Sequence, residues 1–298
     1  MTAGDLVALA RPGQWTKNGI LFAGLMFSRH LFDGAFATRA AAGAVVFCLA
    51  SSAIYAFNDG KDVEVDRVHP EKRDRPVAAG RVPLSAAWTL AAALMLITAA
   101  AGALIGPQFL AALGAFYGIN LAYSMWLKNV VLLDVMMIAL SFVTRAVAGV
   151  MALRPLEPDL EISPWLLVCT LFLALFLGFG KRRHELTLLE KEASGHRATL
   201  GEYTPVFLDQ LIAIVTAATI IAYAIYTVAP ETIAKFQTHQ LVATVPFVAY
   251  GVFRYLFLIQ RRGGGGSPSR ALYRDPPLAL AVAAWIVAVA MVLYAGGS

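Results

Sequence analysis

AFATRAAAGAVVFCLASSAIYAFNDGKDVEVDRVHPEK, residues 35–72, joins an apolar run to a cluster of acids, and this junction governs how the rest of the chain is read. Residues 35–57 carry a single charge, Arg39. As a helix they are long enough to cross the roughly 30 Å of bilayer hydrocarbon, for which about 20 residues suffice. At Asn58 the polarity reverses. Asp59, Asp62 and Asp66 follow at spacings of three and four, which predicts one face of a helical turn, ended by His69-Pro70. Carboxylates this close repel one another unless they share a cation. Mg²⁺ takes carboxylate and substrate phosphate oxygens together, so the stretch points to a metal-bridged phosphate or diphosphate site at a membrane surface. The plainer alternative is a charged loop neutralised by Lys61, Arg67 and Lys72.

Of the 298 residues, 59% are hydrophobic and 14% charged, against about 45–50% and about 25% in soluble domains. Mean hydropathy is +0.67. Apolar runs at 13–32, 35–57, 85–105, 107–126, 130–150, 164–180, 206–228, 241–259 and 278–294 predict an all-α, polytopic bundle of nine transmembrane helices. Lys17, Asn18 and Arg29 make the first run the weakest. No alternating pattern of the membrane-barrel kind occurs. With the N-terminus inside, eighteen of the 24 Lys and Arg fall in cytoplasmic connections and four outside, the asymmetry expected for N-in, C-out insertion in the cell membrane. The long polar connections, 58–83 and 181–205, then share the cytoplasmic face, where the chemistry is expected. The chain reads as one domain, 1–298, of two four-helix halves plus a ninth helix. A net charge of +5 gathered on one side suits anionic lipid or phosphate substrates rather than nucleic acid. Cys48 and Cys169 lie in apolar runs without partner spacing, no cleavable signal segment is expected, and GGGGSPS at 263–269 reads as a flexible linker.

The second polar connection is basic where the first is acidic. Lys181-Arg182-Arg183, with His184 and Glu185, can grip a phosphate directly through charge-assisted hydrogen bonds. Asp134 and Arg145 are eleven residues apart and return to nearly the same helical face. Each costs roughly 2.5–3.5 kcal/mol at a helix centre, so each is expected either to pair with a neighbouring helix or to line a polar cavity. Tyr123 and Lys128 end the fourth run and are candidate substrate contacts.

The pattern NDxxDxxxDxxHPxK, standing as Asn58 through Lys72 and followed by Arg75-Pro76 and Ala79-Gly80, resembles the first signature of the UbiA superfamily of intramembrane prenyltransferases. The resemblance implies a nine-helix bundle with a cavity at the cytoplasmic face. It implies that Asp59, Asp62 and Asp66 hold Mg²⁺ on a diphosphate, with Asn58, Lys61 and Lys72 among the substrate contacts. Members that use prenyl diphosphates carry a second Asp-rich motif after the sixth helix, and this chain has Gly180-Lys181-Arg182-Arg183-His184-Glu185-Leu186 there. With Tyr123-Ser124, Lys128 and SFVTRAVAG at 141–149, that departure is similar to one branch of the superfamily. Its members move 5-phosphoribose from phosphoribosyl diphosphate to a decaprenyl (polyprenyl) phosphate in the synthesis of cell-wall arabinan. Arg145, Lys181, Arg182, Arg183 and Glu185 are then expected at the phosphates of donor and acceptor. The alternatives are an aromatic prenyltransferase with a polyprenyl diphosphate donor and a transporter of anionic metabolites. Homo-oligomerisation stays open.

Overall fold

A computed structural model describes residues 1–70, 72–190, 201–262 and 268–294, and within them the side chains of all but 188–190, 261–262 and 269. Among the described residues every regular element is a helix. The α-helices are α1 Ala3–Ala10, α2 Phe22–Met26, α3 Gly34–Lys61, α4 Val63–Val68, α5 Leu84–Ile105, α6 Pro107–Met125, α7 Leu133–Met151, α8 Pro164–Glu190, α9 Pro205–Val228, α10 Pro230–Phe236, α11 Val245–Arg262, α12 Pro268–Arg274 and α13 Pro276–Tyr294. Six of them open on proline, at a position whose N–H has no intrahelical partner to lose. Among the described residues seven helical segments are long and apolar enough to cross a bilayer, which makes this an integral membrane protein.

Two of the nine expected spans are not among those seven. The run at 107–126 is α6, a full helix of 19 residues made less apolar by Gln108, Asn120, Tyr123 and Ser124. The run at 13–32 is a 3-10 stretch, Pro12–Leu21, followed by the short α2. A 3-10 helix has three residues per turn, so side chains three apart stack in line. Trp15, Asn18 and Leu21 form the inward line, Gln14, Lys17 and Ile20 a half-buried one, and Gly13, Thr16 and Gly19 the exposed one. The expected connection at 181–205 begins as helix, because α8 runs on through Glu190. Residues 191–200 of that connection and 263–267 of the expected linker lie outside the described residues, while Pro268 and Ser269 begin α12.

The chain forms two compact units. The first comprises Met1–Leu127 and Thr144–Glu161, with α3 at its centre against α1, the 3-10 stretch, α5 and α6. Asp33 caps α3 by accepting from Ala35 N–H at 2.8 Å. Phe47 packs edge-on to Phe109 and tilted against Phe116, at 5.6 and 5.2 Å between centroids. Gly24 of α2 faces Gly149 of α7. A Cβ on Gly149 would stand 2.1 Å from the Leu21 carbonyl oxygen, so only glycine permits this approach.

The second unit comprises Lys128–Val143 and Ile162–Ser298. In it α8 packs on α9, and α11 on α9 and α13. Phe176, Phe179, Leu208, Ile212, Tyr255 and Leu258 belong to its core. Arg254, inside an apolar helix, is neutralised by a two-point pair with Asp275 at 3.0 and 2.9 Å, and Asp275 also caps α13 through Leu278 N–H.

Gly149→Ala is expected to cost about 1–3 kcal/mol through forced displacement of backbone, read as a lower melting temperature in detergent. Gly114→Ala, with nothing within 4 Å of its Cβ, leaves the melting temperature unchanged.

Candidate active site

Helix α3 ends at Lys61, and Asp62, at φ −95° and ψ 13°, breaks the regular geometry before α4 begins. The three aspartates therefore do not share one unbroken helical face. Asp59 closes α3, Asp62 stands at the break and Asp66 lies in α4. Two of them still converge on one cation. Arg75 Nη1 lies 3.2 Å from Asp59 Oδ1 and 2.5 Å from Asp66 Oδ2, and Arg11 donates to the same Asp59 oxygen. Asp59 and Asp66 are 1% and 2% exposed, and ionised carboxylates at that depth require such pairing.

The cations arrive from separate segments. Arg11 ends α1 with its backbone in the left-handed region, at φ +52°. Arg75 is carried by the turns after His69, where Arg73 N–H donates to His69 O and Arg75 N–H to Lys72 O. Those turns are anchored by Val77 and Val82, buried with Leu9, Ala56, Ala87 and Ala91. Asn58 accepts from the Ser124 hydroxyl and Lys61 Nζ donates to the Ser124 carbonyl at 2.9 Å, tying the end of α3 to the end of α6. Asp62, Lys72 and Tyr123 are half-buried.

Asp59 Oδ2 is buried and, among the described residues, has no hydrogen-bond partner. An open oxygen on one of two carboxylates that share a cation suits a hard divalent ion. Mg²⁺ commonly takes one or two protein carboxylates and fills its shell with water and substrate phosphate rather than with an all-protein cage. No group of three His, Cys, Asp or Glu forms such a cage among the described residues. The donor set therefore fits Mg²⁺ brought in with a diphosphate.

Arg145 is 5% exposed. Its Nε donates to Asn18 Oδ1 at 2.9 Å and its guanidinium lies 4.6 Å from the Phe116 centroid. Asn18 in turn accepts from Ser51 and donates to Cys48 Sγ. Asp134 has different partners, in the second unit. Arg182 Nε is 2.7 Å from Asp134 Oδ2, and Tyr203 donates to Asp134 Oδ1 at 2.8 Å while accepting from Leu132 N–H. Burial pushes the Tyr203 phenol above its ordinary pKa, so it stays a donor. The shared helical face expected for Asp134 and Arg145 thus serves two separate networks.

Arg182 also pairs with Glu185, which lies 3.8 Å from Lys181 Nζ, so Glu185 is the shared counter-ion of this helix end. Arg183 donates to Asp209 at 3.0 Å and to Thr187 at 2.8 Å. Of the basic run, Arg182 is 2% exposed, whereas Lys181 and Arg183 reach solvent at 43% and 26%. Lys128 sits half-buried in a 3-10 turn, Leu127–Asn129. The sequence reading missed Arg11, and it quoted Arg75 only as part of the motif. The available signal was weak, a basic residue before the first apolar run and another sixteen positions after Asp59.

Residues 19–274 match the model of the UbiA prenyltransferase family. The chain belongs to that family. It is 31% identical to the decaprenyl-phosphate phosphoribosyltransferase of Corynebacterium glutamicum, over 98% of this chain and 87% of that one. It is equally similar, at 31%, to the enzyme of the same name from Mycolicibacterium smegmatis, over 97% and 92%. Among solved structures, a UbiA homolog from Archaeoglobus fulgidus bound to GPP and Mg²⁺ superposes with a TM-score of 0.70 at 20% identity, over 97% and 99% of the two chains. Digeranylgeranylglyceryl phosphate synthase does so with a TM-score of 0.66 at 17% identity, over 97% of each.

Arg75→Gln removes the cation that Asp59 and Asp66 share. The expected result is a lower melting temperature in EDTA, of which added Mg²⁺ recovers a larger share than the same addition gains for the unaltered protein.

Proposed function

We propose that this transferase moves 5-phosphoribose from phosphoribosyl diphosphate to a polyprenyl phosphate, decaprenyl phosphate being the acceptor that its relatives' name implies, and releases pyrophosphate. The observation that carries the reading is its likeness, over nearly its whole length, to enzymes of that name. The buried pair of aspartates with one unclaimed oxygen supports it. The cellular role that follows is supply of a lipid-linked precursor for cell-wall arabinan. We place the reaction at the cytoplasmic face of a single domain with nine membrane helices, N-in and C-out, following the distribution of Lys and Arg.

Asp59, Asp62 and Asp66 are the residues that would hold Mg²⁺ and, with it, the donor's diphosphate. A bound Mg²⁺ supplies charge neutralisation for the departing pyrophosphate. An oxygen of the lipid phosphate forms the new bond to the anomeric carbon as the bond from that carbon to the diphosphate breaks. The substitution is oxocarbenium-like, and an α-configured donor gives a β-linked product. The attacking oxygen is already ionised near neutral pH, so no side chain is required as a base. The chain's contribution is positioning and electrostatics. Lys72, Lys128, Lys181 and Arg183 are assigned to the phosphates of donor and acceptor, and Asn58 and Lys61 hold the end of α3 against Ser124. Arg182, with Asp134, Glu185 and Tyr203, fixes the end of α8 on which Lys181 and Arg183 stand.

Purified protein with labelled phosphoribosyl diphosphate, a polyprenyl phosphate and Mg²⁺ is expected to yield lipid-linked ribose phosphate. Asp59→Ala and Asp62→Ala are each expected to lower turnover by about 100-fold or more. Full turnover in both variants removes the metal assignment. Release of pyrophosphate from a labelled polyprenyl diphosphate instead, with an aromatic acceptor, replaces the reading with that of an aromatic prenyltransferase.

A further inference from the structure

Leu132 has its backbone in the left-handed region, at φ +67°. A bulky residue keeps that conformation only where its surroundings over-determine it. Its side chain is 37% exposed, so packing does not hold it there. The hold is on the backbone, because Leu132 N–H donates to the Tyr203 hydroxyl at 2.8 Å. The Leu132 carbonyl then accepts from Val135 and Met136 N–H and starts α7. At the other end of the same connection stands Lys128, in the 3-10 turn Leu127–Asn129. The Tyr203 hydroxyl gives its own proton to Asp134 Oδ1 at 2.8 Å, and Asp134 Oδ2 lies 2.7 Å from Nε of Arg182, the residue between Lys181 and Arg183. Tyr203 is itself fixed. It is 3% exposed, its ring stacks on Phe207 at 6.3 Å, and the next residue, Thr204, caps α9 by accepting from Phe207 N–H. One hydroxyl therefore joins the starts of α7 and α9 to the polar end of α8, all within the second unit.

We propose that Tyr203 is a positioning residue for the reaction: its hydroxyl holds the strained turn behind Lys128 in register with the stretch of α8 that carries Lys181 and Arg183. This rests on the assignment of those cations to substrate phosphates made above. A lysine ammonium is a compact charge on a flexible stem, so where it can stand depends on where its backbone is held. Fixing that backbone in advance lowers the cost of ordering the cations when a phosphate arrives. Without the hydroxyl, Leu132 N–H and Asp134 Oδ1 each lose a partner. The turn is then free to relax to a negative φ, and the segment bearing Lys128 moves relative to α8. The loss falls on phosphate binding, because Tyr203 is buried and acts through the backbone it holds.

The test is steady-state kinetics of the full-length protein in detergent, with phosphoribosyl diphosphate and a polyprenyl phosphate varied in turn. The chains compared are the unaltered protein, Tyr203→Phe, Leu132→Gly and the double variant. Phenylalanine keeps the ring and removes the hydroxyl, and glycine takes a positive φ without strain, so it removes the need for the hydroxyl at that turn. For Tyr203→Phe the expected result is a KM raised about 10-fold with kcat within about 2-fold. A rise for the donor assigns the cations to the donor's phosphates, and a rise for the lipid assigns them to the acceptor's. Leu132→Gly alone stays close to the unaltered protein, and in the double variant it recovers most of the lost KM. A fall in kcat with both KM values unchanged overturns the proposal, as does a KM rise that Leu132→Gly leaves in place or a lower melting temperature as the sole effect. Calorimetric titration with Mg²⁺-pyrophosphate and with polyprenyl phosphate repeats the comparison without turnover. If the unaltered protein forms no lipid-linked ribose phosphate, the reaction fails, and weaker anion binding by Tyr203→Phe that Leu132→Gly restores still upholds the positioning role.

Discussion

Asp59 and Asp66 are almost wholly removed from solvent, and a single guanidinium, that of Arg75, lies between them. Two buried carboxylates without a shared cation are an unfavourable arrangement, because each loses hydration and each raises the potential felt by the other. Most of the local architecture of the first unit answers this constraint. The connection after α4 folds back so that Arg75 returns to the end of α3, held there by Val77 and Val82 in their apolar cluster. Helix α1 ends in a left-handed residue, and that residue is Arg11, the second cation on Asp59. One carboxylate oxygen of the pair, Asp59 Oδ2, is left without a protein donor among the described residues. An arrangement built only for stability would close that oxygen with a hydrogen bond, since an unmade one in a dry environment costs more than a made one returns. Its openness sets Asp59 apart from a carboxylate that its charge pairs fully satisfy.

The second unit treats charge differently. Arg182 is committed to Asp134 and Glu185, and Tyr203 completes the Asp134 carboxylate, so this network is closed on itself. A closed network rigidifies, and here it rigidifies the turn of α8 that carries Lys181 and Arg183. The three consecutive basic residues therefore differ in setting, Arg182 buried at the helix end and two standing partly in solvent, Lys181 beside the half-buried Glu185 and Arg183 paired with Asp209. Ion pairs that reach solvent in this way are individually weak.

How much of this was legible in the sequence follows from the range of each interaction. The apolar runs and the spacing of Asp59, Asp62 and Asp66 are local patterns, and they marked the seven helical segments apolar enough to cross a bilayer and the acidic cluster at the end of α3. The break at Asp62 was not legible, because residues 58–66 read equally well as a continuous helix, and backbone bonds from Asp62 N–H to Asn58 and from Asp66 N–H to Asp62 do continue through it. The partners of Asp59 lie 48 and 16 residues away, a separation that leaves no periodic trace. Helix α8 outran the expected span because hydropathy marks where a chain leaves hydrocarbon, not where it stops being helical. Lys181, Arg182 and Arg183 pair with Glu185 and Thr187 at helical spacings of three and four, which sustains the helix beyond the apolar core.

The least legible segment, Pro12–Leu21, also has the clearest physical reason for its shape. With 3.6 residues per turn, positions 15, 18 and 21 would drift around the helix by about 60° at each step, and Asn18 and Leu21 could not both face inward with Trp15. The 3-10 repeat keeps them in line. Trp15 can then donate to Ser52 at 3.0 Å, Asn18 can meet Ser51, Cys48 and Arg145, and Leu21 can bring its carbonyl against Gly149. The buried Arg145 requires this. A guanidinium inside an apolar helix must be met by an acceptor, and Asn18 provides one from a segment whose turn is tight enough to aim it there. The same geometry sets Lys17 on the adjacent, half-buried line.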